Sequence, residues 1–260
     1  MKVLILADQK SLNHFPSGKT LLEGCVEMFQ SLVEDSEIVV QCPQEICPRI
    51  KELAVGATIY AEPVGRGTAP AIGLSAVRLA LADPSESFLI AYSDHPVSYR
   101  NNLFSAVKLV ETLRRNLNRL LLIGVNPTFP AIEYGYIKIG EVLQEVNGSI
   151  AFEVVEFNEK PSLELADQYI QSWRYLWNTG YTVTDATELL DLYRQYLPDL
   201  YRGLMTIKES IGTNVESDII QTVYNSFPKI SIDKGVYEKI DPHQVGVVPV
   251  DLHIHDFESY

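Results

Sequence analysis

Short apolar runs alternate with segments of helical length through the first half of the chain. The runs read VLILA, EIVVQC, ATIYA, SFLIAYS and RLLLIGV. Such short apolar runs are typical of strands buried on both faces, and the intervening segments are long enough for helices. The pattern therefore predicts βαβ units and a mostly parallel α/β sheet, in which ligands bind at the carboxyl ends of the strands.

The pattern changes after residue 134, where two alternating runs, GYIKIGEVL and IAFEVVEF, meet at residues 146–149, which read VNGS. An Asn-Gly pair between alternating runs is typical of a β-hairpin. Helical patterns return after Pro161. We expect a single domain, residues 1–260, made of two halves of about 1–130 and 131–260.

Two helix starts are indicated by capping residues. Thr68 is the expected cap of a buried helix with Pro70 in its first turn, and Pro84 follows the end of that helix. Asp185 and Glu188 form a candidate capping box for a later helix.

Composition narrows the classes of partner. The 260 residues are 46% hydrophobic, enough for a substantial core, and carry a net charge of −13. This charge argues against nucleic acid or an anionic membrane as the main partner, since both require a cationic surface. The three cysteines form no CxxC pair, so we expect reduced thiols in a soluble cytoplasmic protein with no signal peptide.

Several polar segments follow predicted strands and could carry chemistry. In EPVGRGTAPAI, Glu62 could accept hydrogen bonds from a guanine edge, although an ordinary loop is the alternative. Asp94, after SFLIAYS, could hold Mg²⁺ against a polyphosphate, or be a turn aspartate. In EFNEKPS, Glu159 and Lys160 could bind a sugar phosphate or form a solvated charged turn; Asn178 in WNTG could bind hydroxyls or form a turn.

Two further segments suggest metal or phosphate sites less strongly. His253 and His255 share one face of the C-terminal run HIHDFESY while Asp256 lies on the other, so a three-ligand zinc site is not indicated. Asp256 could supply a second carboxylate for Mg²⁺ if the fold brings it near Asp94. SGKT at residues 17–20 is not a P-loop, because Asn13 stands where that motif needs glycine.

Taken in order, these segments resemble the mannose-1-phosphate guanylyltransferases of the nucleotidyltransferase superfamily. The resemblance rests on EPVGRGTAPAI, SDH, GVNPTFPAIEYGYIKIG, VVEFNEKPS, LWNTGY, SIDKGVYEK and VVPVDLHIHDFESY. It implies a Rossmann-like nucleotidyltransferase fold, with a mostly parallel central sheet, helices on both faces and a small antiparallel hairpin subregion. Residues 1–130 would be the nucleotide half and residues 131–260 the sugar-binding half.

The resemblance also implies substrates and roles. GTP and mannose 1-phosphate would give GDP-mannose and pyrophosphate, with Mg²⁺ as cofactor. Glu62 would lie at the guanine edge and Arg66 beside the nucleotide, while Asp94 and Asp256 would hold the metal.

The remaining positions would serve the sugar. Gly135 would pass its backbone close to mannose, Glu159 and Asn178 would bind its hydroxyls, and Lys160 would contact the sugar phosphate. Asp94, Lys160 and Asp256 would thus be the catalytic residues.

The chain departs from this family most clearly in its first loop. The family sequence is approximately GGSGTRLWP, whereas residues 8–16 read DQKSLNHFP, without glycine and with Asn13 at the arginine position. The lysine-bearing segment that follows in the family is missing. Gly67, Ala131 and Glu258 replace the family's asparagine, glutamate and glycine.

These departures leave two hypotheses. The chain is a guanylyltransferase with impaired activity, or it is a non-catalytic paralogue that binds a sugar nucleotide and has a regulatory role. A homo-oligomer, or a pairing with an active homologue, is kept as a further expectation.

Overall fold

The structure is a computed structural model that describes residues 1–95, 97–117, 119–146 and 148–252. The chain divides into two compact units. The first unit contains Met1–Pro96 and Thr184–Val236, and the second contains Val97–Val183 and Tyr237–Tyr260. The assignment of a nucleotide half and a sugar half to residues 1–130 and 131–260 stays a prediction.

In the described part of the chain the strands are β1 (Lys2–Leu6), β2 (Ile38–Pro43), β3 (Thr58–Glu62), β4 (Phe88–Tyr92), β5 (Leu120–Val125), β6 (Gly135–Val146), β7 (Ser149–Glu159), β8 (Tyr175–Thr184) and β9 (Val245–Pro249). The α-helices there are α1 (Leu21–Gln30), α2 (Cys47–Leu53), α3 (Thr68–Leu79), α4 (Arg100–Leu117), α5 (Leu163–Ser172), α6 (Ala186–Tyr196), α7 (Pro198–Ser210) and α8 (Glu216–Asn225). None of the described helices has the length and apolar character needed to cross a membrane.

The first unit is built on parallel strands in the order β3-β2-β1-β4. Each of these strands coincides with one of the apolar runs, which confirms the prediction of parallel pairing in this part of the chain. β1 and β4 are buried along almost their whole length, as their apolar side chains favour. Its strands end together, with Leu6 beside Gln41 on one side and Tyr92 on the other, and polar residues follow these ends.

The predicted buried helix is confirmed as α3, but its cap is not Thr68. Gly67 is the N-cap, with φ 86°, and Thr68 is the first helical residue. The hydroxyl of Thr68 accepts a hydrogen bond from the backbone N–H of Ile232 at 2.9 Å. The sequence pattern misplaced the cap by one residue because this partner lies 164 positions away.

Asp185, one of the two residues of the predicted capping box, is confirmed as the N-cap of α6. The Asp185 carboxylate accepts from the Glu188 backbone N–H at 2.9 Å. The Glu188 carboxylate in turn accepts from the Thr184 hydroxyl at 2.8 Å.

The second unit contains the antiparallel part of the sheet. β6 and β7 form the predicted hairpin, with Val146 opposite Ser149. β8 pairs with β5 and β6, and β9 pairs with β7, all antiparallel, while β5 and β9 are parallel. The pairings run in a ring through β8, β5, β9, β7 and β6, so the antiparallel part extends beyond the small hairpin that the sequence predicts.

Candidate functional site

The turn after β1 is closed by its own carboxylate. Asp8 caps a 3-10 turn at Gln9–Leu12, and its Oδ1 accepts from the backbone N–H groups of Lys10 at 2.8 Å and Ser11 at 3.4 Å. The Ser11 hydroxyl accepts in return from the Asp8 N–H at 2.8 Å. Backbone donors that could face an anionic ligand are therefore already engaged by an anionic side chain of the same turn.

Two buried serines anchor this turn, in which residues 8–10 are exposed. The Ser11 and Ser93 Oγ atoms lie 2.6 Å apart, and the Ser93 hydroxyl donates to the Leu6 carbonyl at 3.1 Å. Both serines are almost fully buried. They join the turn after β1 to the segment after β4, which carries Asp94. The sequence analysis missed them, because a serine in a loop gives no signal of a partner 82 positions away.

The rest of the altered loop folds back toward α1. The Leu21 N–H donates to the Asn13 carbonyl at 2.9 Å, and the Phe15 N–H donates to the Lys19 carbonyl at 2.8 Å. Lys19 forms an ion pair with Glu27 at 2.6 Å. Asn13, at the family's arginine position, is thus part of a short backbone turn that leads into the helix.

Glu62 is a buried acid at the end of β3. It is 5% exposed, and its Oε2 accepts a hydrogen bond from the Tyr224 hydroxyl of α8. Burial raises the pKa of Glu62 to about 7, although the hydrogen bond from Tyr224 opposes this shift. Near neutral pH this carboxyl is therefore a proton donor as well as an acceptor. Tyr224 was missed because no motif surrounds it.

The loop between β3 and α3 is held by backbone contacts. Arg66 donates from Nη2 to the Asn225 carbonyl at 2.5 Å, and its own carbonyl accepts from the Ile230 N–H at 3.0 Å. Gly67 approaches so closely that an added Cβ would lie 2.6 Å from the Ile230 carbonyl oxygen. Glycine replaces the family's asparagine at a position with positive φ and no space for a side chain.

Asp94 follows β4 with an accessible carboxylate. Its side chain is 31% exposed, and its Oδ1 lies 3.9 Å from the His95 Nε2. The His95 ring stacks on Tyr92 with ring centres 5.0 Å apart. Asp256, the predicted second carboxylate, lies outside the described residues, as do His253, His255 and Glu258.

Three of the predicted sugar residues come together in the second unit. Gly135 pairs with Glu159 of β7 on one side and with Asn178 of β8 on the other. A Cβ on Gly135 would lie 2.6 Å from Glu159 Oε2 and 3.4 Å from Asn178 Cβ. The absence of a side chain at Gly135 therefore leaves room for the Glu159 carboxylate. It also leaves only the Gly135 backbone between Glu159 and Asn178.

Lys160 extends this group at the end of β7. Its φ of 49° is unusual for a residue with a side chain, and its Nζ forms an ion pair with Glu133 Oε2 at 3.1 Å. Both side chains are more than half exposed. Glu133 was missed by the sequence analysis, although it stands two residues before Gly135. We call Glu133, Gly135, Glu159, Lys160 and Asn178 the β6–β8 cluster.

The comparisons with known proteins identify the family. The family model described as nucleotidyl transferase matches residues 2–205, well over half of the chain. The chain belongs to the nucleotidyl transferase family.

Relatives of this chain include two curated bacterial enzymes. Mannose-1-phosphate guanylyltransferase of Salmonella montevideo is 30% identical, with 99% of this chain and 58% of that protein covered. The enzyme of the same name from Escherichia coli K12 is 28% identical, with 95% and 54% covered. The chain therefore spans about half the length of these curated relatives.

A solved structure supports the fold. The crystal structure of mannose-1-phosphate geranyltransferase from Thermus thermophilus is 28% identical and aligns with a TM-score of 0.83. The alignment covers 98% of this chain and 75% of that chain. The chain thus has the α/β fold expected from its sequence, with parallel and antiparallel parts in its sheet.

The described side chains can be compared with the needs of the Mg²⁺ ion that the resemblance implies. No group of three or more His, Cys, Asp or Glu side chains that could hold a metal occurs among the described residues. A nucleotide-bound Mg²⁺ is typically held by one or two carboxylates plus phosphates, rather than by an all-protein cage. The accessible oxygen donor of Asp94 fits that mode of binding.

Proposed function

We propose that this protein binds a nucleotide sugar of the GDP-mannose class, and that its capacity to form the nucleotide sugar from GTP and mannose 1-phosphate is impaired. The observation that carries the proposal is the turn after β1, where Asp8 accepts hydrogen bonds from the backbone N–H groups of Lys10 and Ser11. A triphosphate at this turn would compete with a fixed carboxylate for the same donors.

The energies of charge repulsion and of lost hydrogen-bond donors predict a strongly reduced rate of GDP-mannose formation. Two unit charges 4 Å apart repel by about 4 kcal/mol at an effective dielectric of about 20. Loss of a single preorganised donor to developing charge lowers rates by about 10²–10³-fold. The turn presents a carboxylate, and the family's arginine is replaced by Asn13, whose carbonyl accepts from the Leu21 N–H.

The β6–β8 cluster supports retention of sugar binding. Glu159 and Asn178 offer acceptors and donors on either side of the Gly135 backbone, which suits vicinal hydroxyl groups. Lys160 adds a positive charge at the accessible edge of the cluster, where a sugar phosphate would replace Glu133 as its partner.

An active guanylyltransferase is the second candidate, and the names of the curated relatives favour it. Asp94, with Asp256 as predicted, would hold Mg²⁺, which when bound neutralises phosphate charge. Lys160 would then orient the sugar phosphate for in-line attack on the α-phosphorus, so the chain's contribution would be positioning and charge.

Calorimetric titration with GDP-mannose in the presence of Mg²⁺ tests the binding part of the proposal. We expect saturable binding that is weakened about tenfold or more by Lys160→Ala, since a hydrogen bond to a charged group contributes about 1.5–3 kcal/mol. Lys138→Ala is the matched control, because Lys138 forms a similar ion pair with Glu156, at 3.5 Å. Absence of binding, or equal weakening by both variants, would contradict the proposed sugar site.

A further inference from the structure

Two cysteine side chains meet at the end of β2. Cys42 lies within this strand and Cys47 is the first residue of α2. Their Sγ atoms are 2.8 Å apart, and both are thiols. Since a disulfide bond is about 2.05 Å long, a shift of less than an ångström would bring the two sulfur atoms to bonding distance.

A cavity of about 660 Å³ gives access to this pair. Cys47 lines the cavity and is 6% exposed, whereas Cys42 is not among the lining residues and is fully buried. The volume falls within the range of about 300–1,000 Å³ that is typical of small-molecule sites. A small molecule that enters the cavity would therefore meet Cys47 first, and Cys42 would react only with a group already attached to Cys47.

The charges around the cavity favour an anionic reagent. Its described lining includes two basic side chains, Lys51 and Arg78, and a single acidic one, Glu216. Glu216 lies 3.9 Å from the Arg78 guanidinium. This local balance is positive, in contrast to the net charge of −13 for the whole chain.

The two thiols differ in their expected roles. Burial, reinforced by the neighbouring Cys47 sulfur, raises the pKa of the Cys42 thiol, while Lys51 opposes the shift. Either thiol can donate in the hydrogen bond between the two sulfur atoms, so access to the cavity sets the order of reaction. This leaves the Cys47 sulfur, at the cavity, as the first to attack and Cys42 as the second.

We propose that Cys42 and Cys47 form a reactive dithiol, which is oxidised through the cavity by a small disulfide that carries carboxylates. Cys47 Sγ attacks one sulfur of the reagent; the reagent S–S bond breaks, and one half leaves as a thiol with a proton. Cys42 Sγ then attacks Cys47 Sγ, the mixed disulfide breaks, and the second half leaves as a thiol. The protein loses two electrons and two protons, and the reagent gains both. This proposal does not rest on the proposed sugar function.

Peptide mapping after native incubation with oxidised glutathione tests this proposal. Cleavage after glutamate places the three cysteines on separate peptides, since Glu23, Glu27, Glu37, Glu45 and Glu52 flank them. We expect the peptides 38–45 and 46–52 to be joined, and the peptide 24–27 to carry an unmodified Cys25. Three unmodified thiols, or a link that involves Cys25, would overturn the proposal.

Variants test the order of the two steps. Cys42→Ser should hold the reaction at the mixed disulfide, so that peptide 46–52 gains one glutathionyl group, whereas Cys47→Ser should leave Cys42 unmodified. Cys25→Ser is the control and should leave the joined peptides unchanged. Modification of Cys42 in the Cys47→Ser protein would contradict the order.

A further variant tests the proposal even if the serine variants unfold. Lys51→Ala should slow the formation of the joined peptides with oxidised glutathione more than with the neutral bis(2-hydroxyethyl) disulfide. Equal slowing with the two reagents would contradict the anionic preference.

Discussion

At the scale of single residues, Glu62 shows how burial converts a predicted recognition group into a titrating one. Its carboxyl group lies at the end of β3 with the Tyr224 hydroxyl as a donor, and burial raises its pKa to about 7. In the unfolded chain this carboxyl would have the ordinary pKa of 4.5 and would be protonated mainly below that pH. Between these two values the folded state binds more protons than the unfolded state.

The first prediction concerns stability against pH. Because the folded pKa of Glu62 is raised, the free energy of unfolding should fall as pH rises from about 4.5 to about 7 and remain constant above that, with a loss of at most about 3 kcal/mol from this group. Glu62→Gln should remove most of this dependence. Denaturant titrations at pH 5 and pH 8 measure it.

Glu52→Gln serves as the control for Glu62→Gln, since Glu52 is an exposed partner of Arg49. It should leave the pH dependence of stability as in the wild type. An unchanged slope in Glu62→Gln would show that another group carries the titration.

At the scale of elements, the turn after β1 and the loop before α3 are each fixed by contacts with backbone atoms. Asp8 closes the turn after β1, and Gly67 packs its backbone against Ile230 before α3. Neither feature follows from the missing or altered family residues alone. Both predict consequences for stability that are independent of any ligand.

The second prediction concerns the turn after β1. Asp8→Ala removes the acceptor for two backbone N–H groups and should lower the free energy of unfolding by about 1 kcal/mol, as for other capping residues. Asp8→Asn keeps an acceptor oxygen and should lie within a few tenths of the wild type. Equal stability of Asp8→Ala and the wild type in denaturant unfolding would contradict these hydrogen bonds.

The third prediction concerns Gly67, where the family residue should be harmful. Gly67→Asn places a Cβ 2.6 Å from the Ile230 carbonyl oxygen at a φ of 86°, so it should lower the free energy of unfolding by about 1–3 kcal/mol. Gly65→Asn is the control, because nothing lies within 4 Å of a Cβ built there. Equal effects of both substitutions on denaturant midpoints would contradict the close approach.

The sequence was sufficient for elements whose signal is local. Apolar runs located β1 to β5, alternation around Gly148 located the β6–β7 hairpin, and Asp185 located the start of α6. Features that depend on distant partners were not predictable. Tyr224 lies 162 positions from Glu62 and Ser93 lies 82 positions from Ser11, and no periodicity links such pairs.

At the scale of the whole molecule, the chain divides its predicted functions between two compact units. Glu62, Arg66 and Asp94 belong to the first unit, whereas Gly135 and Asn178 belong to the second. The second unit keeps the β6–β8 cluster, and the first contains the altered turn. A protein with these features should retain sugar binding more fully than turnover.

The measurement that tests this account most directly is pyrophosphate release from GTP and mannose 1-phosphate with Mg²⁺. It is made on the same preparation that is titrated with GDP-mannose. We predict turnover far below the ordinary enzymatic range, which begins at about 1 s⁻¹, together with saturable GDP-mannose binding. Turnover of about 1 s⁻¹ or faster would contradict the claim that the turn at Asp8 impairs use of the triphosphate.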